Sequence, residues 1–280
     1  VSSGYVQNEW RTDRFSYIVG LRIDKHSKIK KLNVIPRTSM RYKINNMFNL
    51  RASYGMGYQA PEIIGSDLDI PIINGKATIT VLSKDLKREI SHTVNGGFDF
   101  RWSNDKFYSY FLVEGFYTKI NDVFVDVEAG PDDGLPDNGN IYMLRTNGNG
   151  AYVTGINLET NIQPIDWIDI QAGFTFQRSR YTKAIRWSTE DYVAPVKNML
   201  RSPNRYGYLT ATFRPKNSYS FSLSNTYTGP MYVAHFAGAE GVTKDETVKT
   251  KDFYDVTVKG AYYFTLNNKH QIELNAGVKN

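Results

Sequence analysis

Apolar and polar residues alternate along nearly the whole chain. In "LRASYGMGYQAP" (50–61), Leu50, Ala52, Tyr54 and Met56 share one face, opposite Asn49, Arg51, Ser53, Gly55 and Gly57. The same period of two runs through Phe15, Tyr17, Val19, Leu21 and Ile23, and through Thr38, Met40, Tyr42 and Ile44. It recurs in Val94, Phe98, Phe100 and Trp102, in Ile156, Leu158 and Ile162, and in Ile170, Ala172, Phe174 and Phe176. Tyr219, Phe221 and Leu223, then Val256, Val258, Tyr262 and Phe264, and finally Ile272, Leu274, Ala276 and Val278 continue it. With "GYVQNEWR", 107–125 and 204–213, the pattern predicts about twelve half-apolar strands.

The connections sort by length. Short ones fall at Thr12-Asp13, Asn45-Asn46, "SNDK" (103–106), "PID" (164–166), "PKN" (215–217) and "NNK" (267–269). Long ones alternate with them, near 25–33, 59–90, 128–146, 181–203 and 229–251. In an up-and-down meander, alternate connections leave from the same end, so one rim carries tight turns and the other long loops. Bacterial outer-membrane barrels have that asymmetry, with the long loops extracellular. Trp10, Trp102, Phe107, Trp167, Phe213, Tyr219, Tyr263 and Phe264 all lie near a short turn, as an interfacial aromatic girdle requires. A water-soluble β-sandwich or lipocalin-like barrel also alternates. A sandwich does not sort its loops so regularly, and about twelve strands exceed a lipocalin. The expected fold is all-β, an antiparallel up-and-down transmembrane β-barrel over 1–280.

Composition narrows the chemistry. The 280 residues include 20 Tyr, 15 Phe, 22 Gly and no Cys, so disulfides, thiolate metal sites and Cys nucleophiles are excluded. Mean hydropathy of −0.46 leaves no transmembrane helix, which says nothing against a barrel. The net charge of +6 is spread out, and "KHSKIKK" (25–31) reads as a solvated loop rather than a nucleic-acid site. The four His residues form no i, i+4 pair, and no G-x-S-x-G, H-E-x-x-H or P-loop is present, so a catalytic role is not expected. Asp132, Asp133 and Asp137 in "GPDDGLPDNGN" could offer oxygen ligands to Ca²⁺, but the spacing does not fit an EF-hand. No resident cofactor is expected.

Several segments carry a family resemblance. "LRASYGMGYQAPEI" (50–63) resembles the "LRasyGxGFrAPxl" strand of TonB-dependent outer-membrane receptors, with Gln59 in place of the usual Arg. "NEWR…VGLRIDKHS" and "PRTSMRYKI" are similar to the strand pairs that precede it. "TNGNGAYVTGINLET" (146–160) resembles a further family segment, with Asn157 where Glu is usual, and "LKRE" (86–89) lacks the usual Pro. "FYDVTVKGAYYF" and "IELNAGVKN" look like closing strands.

The resemblance implies the C-terminal part of a barrel of roughly 22 strands filled by an N-terminal plug, both from a longer chain. It implies the outer membrane of a Gram-negative bacterium, with outer-membrane lipids, the TonB complex (through the plug) and a small-molecule ligand as partners. A surface lipoprotein is a further candidate partner. The implied activity is energised import of a scarce bulky ligand of the siderophore or corrinoid (cobalamin) branch, so the cargo would carry iron or cobalt. Haem is disfavoured because no His precedes His92 after the "YQAP" segment. The alternatives are a passive porin or adhesin, which needs no plug or proton-motive force, and a barrel enzyme dependent on one loop carboxylate or His.

Two residue sets are expected at the site. Tyr142, Arg145, Trp187, Tyr192, Tyr232, His235 and Phe236, in the long loops, suit stacking and cation–π contact with a conjugated ligand. Arg22, Arg37, Arg41, Arg51, Asp99, Arg101, Asn157, Glu159, Gln171 and Lys259 are expected to face the lumen and plug. Parity carries this second set, because an Arg facing lipid at the midplane costs roughly 2–4 kcal/mol.

Overall fold

The computed structural model describes the chain except for residues 63–71, 74–75, 130–133, 189, 217, 236, 238–240 and 267–269. Every regular element among the described residues is a strand. Twelve make one meander: β1 (Ser2–Arg11), β2 (Phe15–Lys25), β3 (Asn33–Lys43), β4 (Phe48–Gln59), β7 (Glu89–Ser103), β8 (Tyr108–Asn121), β11 (Ala151–Ile165), β12 (Ile168–Ile185), β14 (Arg205–Lys216), β15 (Tyr219–Thr228), β18 (Phe253–Leu266) and β19 (His270–Lys279). Each pairs antiparallel with the next in that order. Strands of this length suffice to cross a bilayer when tilted, since about 9–11 residues are needed. β1 and β19 are the outer strands of an unclosed sheet, with no pairing between them among the described residues.

The short connections are sealed by their own side chains. Asn45 Oδ1 accepts the backbone N–H groups of Met47 and Phe48, both at 2.8 Å. Asn104 Oδ1 does the same for Lys106 and Phe107, at 3.0 and 2.9 Å, and Thr12 Oγ1 accepts from Phe15 N at 3.0 Å. An Asx side chain that mimics a backbone acceptor fixes a tight turn and so fixes the register of both strands. Register shifts fall at Ile162/Ile165 and Phe213/Lys216, beside Pro164 and Pro215, whose missing N–H cannot serve the ladder.

Register then sorts the two faces across the whole sheet. Phe15, Tyr42, Leu50, Phe98, Val113, Leu158, Phe174, Gly207, Tyr227 and Tyr254 form one lateral row, each opposite its neighbour. The adjacent row on the opposite face reads Asp99, Leu112, Glu159, Gly173, Tyr208, Thr226 and Asp255. The apolar face is widely open, with Phe176 51 % and Leu274 61 % exposed. Leaving such side chains in water forgoes about 1.5–3 kcal/mol apiece, so this face needs an apolar medium. Trp10, Trp102, Phe213, Tyr219 and Phe264 lie on it near the short turns, with Trp10 stacked on Tyr17 and Trp102 tilted against Phe107. Tyr263 does not join them. One step out of phase with Phe264, it sits on the polar face with its hydroxyl 3.4 Å from Ser220 Oγ.

The long connections hold strands that the chain's main period does not reveal. The excursion after β4 carries β5 (Ile72–Ile73) and β6 (Lys76–Leu82), so it is not irregular throughout. The next holds β9 (Phe124–Ala129) and β10 (Ile141–Asn147), and β10 pairs in parallel with β6 and antiparallel with β9. A second small sheet joins β16 (Tyr232–His235) to β17 (Glu246–Lys249), while β13 (Val196–Asn198) pairs with the end of β12. Lys25 and Asn33 belong to β2 and β3, and β12 runs on to Ile185, so those loops are shorter than the sequence pattern suggests.

Candidate functional site

The polar face gathers its charges into networks. Asp99 is fully buried and receives Asn49 Nδ2 at 2.9 Å and Arg51 Nε at 2.7 Å. Arg41 Nη2 donates to Asn49 Oδ1 at 3.1 Å, so three strands, β3, β4 and β7, share one chain of bonds. Burying a carboxylate is tolerable only with such a partner set. Arg22 Nε donates to Asp24 at 2.7 Å and its Nη2 to Ser3 Oγ at 3.1 Å. Arg37 donates to Gln7, and Arg101 lies 5.5 Å from the centre of the Tyr110 ring. Asn157 accepts from Thr175, Gln171 donates to Asp169, and Lys259 lies 3.5 Å from Glu273. Glu159 is exposed on the same face. All ten residues expected on the polar side therefore share one face by register; Arg51 meets Asp99 directly, and Asn49 links Arg41 to the same carboxylate.

Two adjoining grooves indent this face. One, of about 360 Å³, is bordered by Arg41, Arg51, Ser53, Asn95 and Glu114; the other, of about 410 Å³, by Arg37, Ser39, Gly55 and Thr93. Gly55 has open space where a Cβ would sit, while a Cβ at Gly57 would come 2.8 Å from Ser91 Oγ. A third hollow of about 910 Å³ is bordered by Tyr206, Tyr208, Thr226, Asn157 and Glu159.

The loop candidates divide between two sheets. Tyr142 and Arg145 belong to β10. Tyr142 is buried and exchanges hydrogen bonds with Asn138, and Arg145 holds Asp126 through two bonds of 2.8 and 2.9 Å and the Glu62 carbonyl at 3.2 Å. Trp187 and Tyr192 pack instead on the connection between β15 and β18. Trp187 Nε1 donates to Thr247 Oγ1 at 3.1 Å, Ser188 Oγ donates to Asp245 at 2.5 Å, and the Tyr192 hydroxyl accepts Asp245 N at 3.1 Å. Tyr232 and His235 sit on β16, where His235 lies opposite Glu246. Phe236 lies outside the described residues. Asp132 and Asp133 also lie outside them, and Asp137 is exposed. Among the described residues no group of three His, Asp or Glu side chains could hold a metal ion. At the root of the second loop pair, Tyr227 donates to Asp252 at 2.5 Å and holds that carboxyl below the ordinary carboxylate range, with Arg205 adding to the effect.

Sequence patterning misses the residues that fasten the loops. Asn147 is the clearest. Its Oδ1 accepts Lys87 N at 2.7 Å, and its Nδ2 donates to the Lys87 carbonyl at 3.0 Å and the Asp122 carbonyl at 2.7 Å. One amide thus ties the base of the 60–88 excursion to the start of the next. Replacing Asn147 by Ala leaves those backbone groups unpaired, each costing about 1–3 kcal/mol if it stays buried. The expected outcome is faster proteolytic nicking near residues 84–87 with β4 and β7 still paired, measured by limited trypsin digestion. An unchanged digestion rate would show that the excursion is held elsewhere. The only sequence signal is an Asn just before a Gly, which is common in any loop.

Comparison with known proteins fits this geometry. The family model for the TonB-dependent receptor-like β-barrel matches residues 1–280. The chain belongs to the TonB-dependent receptor β-barrel family. Among solved structures it resembles a ferric enterobactin receptor (PfeA) mutant from Pseudomonas aeruginosa, at TM-score 0.67 and 15 % identity, covering 99 % of this chain and 39 % of that one. It resembles the siderophore receptor PirA from Acinetobacter baumannii at TM-score 0.64 and 18 % identity, covering 99 % and 41 %. The copper transporter OprC gives TM-score 0.64 and 15 % identity, again covering 99 % and 41 %. At these identities the likeness is one of fold, and the chain spans about two fifths of the length of the receptors it matches. No curated protein sequence matched.

Proposed function

We propose that this chain is part of the wall of an outer-membrane TonB-dependent transporter that takes up a scarce, bulky metal chelate. The observation that carries the reading is the division of the sheet's two faces. Every carboxylate of the meander strands lies on the polar face, and the opposite face is an open field of aromatic and aliphatic side chains. Such a sheet fits a barrel wall with lipid on one side and a polar lumen on the other. The polar side then meets the plug supplied by the rest of the protein, and the rim bearing the long connections faces outward. Ferric siderophores are the favoured cargo because structural neighbours include siderophore receptors, and corrinoids remain the second candidate. Of the loop set, Tyr192 is exposed and offers a planar group for a first contact, whereas Tyr142 and Trp187 are buried and Arg145 is held by Asp126, so these three brace the loops that carry it.

The test is uptake of radiolabelled iron chelates and cobalamin by iron-starved cells carrying the full-length protein. Uptake of one chelate is expected, and a protonophore should abolish it. Uptake that survives the protonophore would point to a passive channel and overturn the reading. Replacing Gly57 by Trp, whose Cβ must push the Ser91 hydroxyl aside, is expected to lower the uptake rate about tenfold while surface binding stays, since the bulk projects into the lumen. Normal uptake by that variant would show that nothing approaches Gly57.

A further inference from the structure

Like charges face each other on the polar side of β2, β3 and β4, close to the short turns. Lys43 N donates to the Arg14 carbonyl at 2.6 Å, so these two residues stand directly opposite at the end of the β2–β3 ladder. Arg41 lies opposite Arg51 on one side and Ser16 on the other, and Ser16 lies opposite Arg11. Residues directly opposite have Cβ atoms about 4.5–5.5 Å apart, and like charges so placed destabilise a strand pair. Arg11, Arg14, Arg41, Lys43 and Arg51 thus crowd one small area of wall.

The fold does not neutralise them all. The carboxylates of β1 to β4 are Glu9 and Asp24, and both are taken. Glu9 accepts from Arg11 at 2.7 Å and from Ser16 at 2.9 Å, and Asp24 accepts from Arg22. Arg51 has Asp99, while Arg41 has only the neutral Asn49. Arg14 and Lys43 have no side-chain hydrogen bond or ion pair among the described residues, and Asp13, in the turn beside them, pairs with neither.

The grooves of the polar face run into one another here. The one of about 360 Å³ beside Arg41 and Arg51 also touches Arg11 and Ser16. Below it, a groove of about 270 Å³ is bordered by Arg11, Asp13, Arg14, Arg41 and Lys43. A last one, of about 330 Å³, opens at the rim between Asp13, Arg14, Lys43 and Asn46. Spaces of roughly 300–1,000 Å³ suit small ligands. Along β3, Arg37, Arg41 and Lys43 share the face at steps of roughly 13 and 7 Å, so an anion leaving one cation comes near the next.

We propose that Arg14 and Lys43, with Arg11 and Arg41 behind them, form a binding station for an anionic metal chelate at the short-turn mouth. Carboxylate or catecholate oxygens of the chelate accept charge-assisted bonds there before release. The inference rests on the transport reading above and narrows its cargo to chelates of net negative charge. An acidic segment from the rest of the protein would instead cancel the repulsion permanently and leave no room for cargo, so the two occupants predict opposite results.

The test uses the purified full-length protein with a fluorophore on Asn46→Cys as its sole cysteine. Two iron chelates serve as quenchers, the anionic ferric citrate and the neutral ferrichrome. Saturable quenching by ferric citrate is expected, against a merely linear loss with ferrichrome. Arg14→Gln/Lys43→Gln should raise the half-saturating ferric citrate concentration about tenfold, and Arg14→Lys/Lys43→Arg should hold it within about twofold. The Gln variant should also melt no lower than its parent, because it removes a repelling pair. A lower melting temperature or failed assembly of that variant would reveal an acidic partner within the protein and overturn the proposal. Saturation by ferrichrome at the same concentration, or ferric citrate quenching unchanged in the Gln variant, would overturn it too. Protonophore-sensitive uptake without charge-selective quenching sinks this site alone. Charge-selective quenching with uptake that survives the protonophore sinks the transport reading and keeps the anion site.

Discussion

Replacing Arg51 by Ala is expected to lower the unfolding free energy of the full-length protein by about 3 kcal/mol, and Asp99→Asn by only about 1. The difference comes from where each partner sits. Asp99 keeps 1 % of its side-chain surface, whereas Arg51 keeps 41 %. Without Arg51 the buried carboxylate retains one amide donor, from Asn49, and no counter-charge. Without the Asp99 charge, Arg51 turns to solvent, and the neutral amide that replaces the carboxylate still accepts from Asn49. Urea titration in phospholipid vesicles, followed by tryptophan fluorescence, measures both. An Asp99→Asn loss equal to that of Arg51→Ala would show that burial of the carboxylate is not the source of the cost. Arg41→Ala should be milder than either, since it donates to the neutral Asn49.

That network also marks the limit of what the sequence discloses. The strands and their faces are legible because a period of two is imposed at every residue by the pleat and by the need to keep charge off one side. Arg41, Arg51 and Asp99 are assigned to one face by parity alone. Which of them meet is not legible, because the bond between Arg51 and Asp99 depends on the register of β4 against β7 across a long excursion. Asn49 looks like any polar strand residue until that register places it between Arg41 and Asp99.

The loops are harder for a related reason. β6 and β10 pair in parallel from separate excursions, so neither has a hairpin turn to announce it. Trp187 is legible as an aromatic in a long loop. Its partner Thr247 and the Ser188–Asp245 bond lie far along the chain, where only the folded loops bring them together. Tyr263 shows the opposite error. Closeness to a short turn suggests a girdle, but side-chain direction depends on parity, which places it with Ser220.

Adding a single methyl group to Gly97 is expected to prevent assembly of the sheet, while the same change at Gly55 is nearly silent. A Cβ at Gly97 would lie 2.2 Å from the Val113 carbonyl oxygen and 2.8 Å from Glu114 Cα, both backbone atoms of β8. Neither can withdraw without breaking the β7–β8 ladder, which is paired from Ile90 opposite Asn121 to Ser103 opposite Tyr108. The cost therefore exceeds the roughly 1–3 kcal/mol of ordinary overpacking. At Gly55 no atom lies within 4 Å, so Ala brings no clash and reduces the freedom of the unfolded chain. Gly173 falls between. Its Cβ would meet the Tyr208 ring at 2.5 Å, and that ring covers the glycine from the neighbouring strand, as aromatic side chains do for glycine in twisted sheets. Because a ring can swing aside, Gly173→Ala is expected to cost about 1–3 kcal/mol, and Tyr208→Ala in the same chain to recover most of it. The folded fraction in outer membranes, read from heat-modifiable migration, ranks the three. A folded Gly97→Ala protein would mean that β7 and β8 separate locally. Failure of Tyr208→Ala to rescue Gly173→Ala would place the strain in the backbone rather than in the ring.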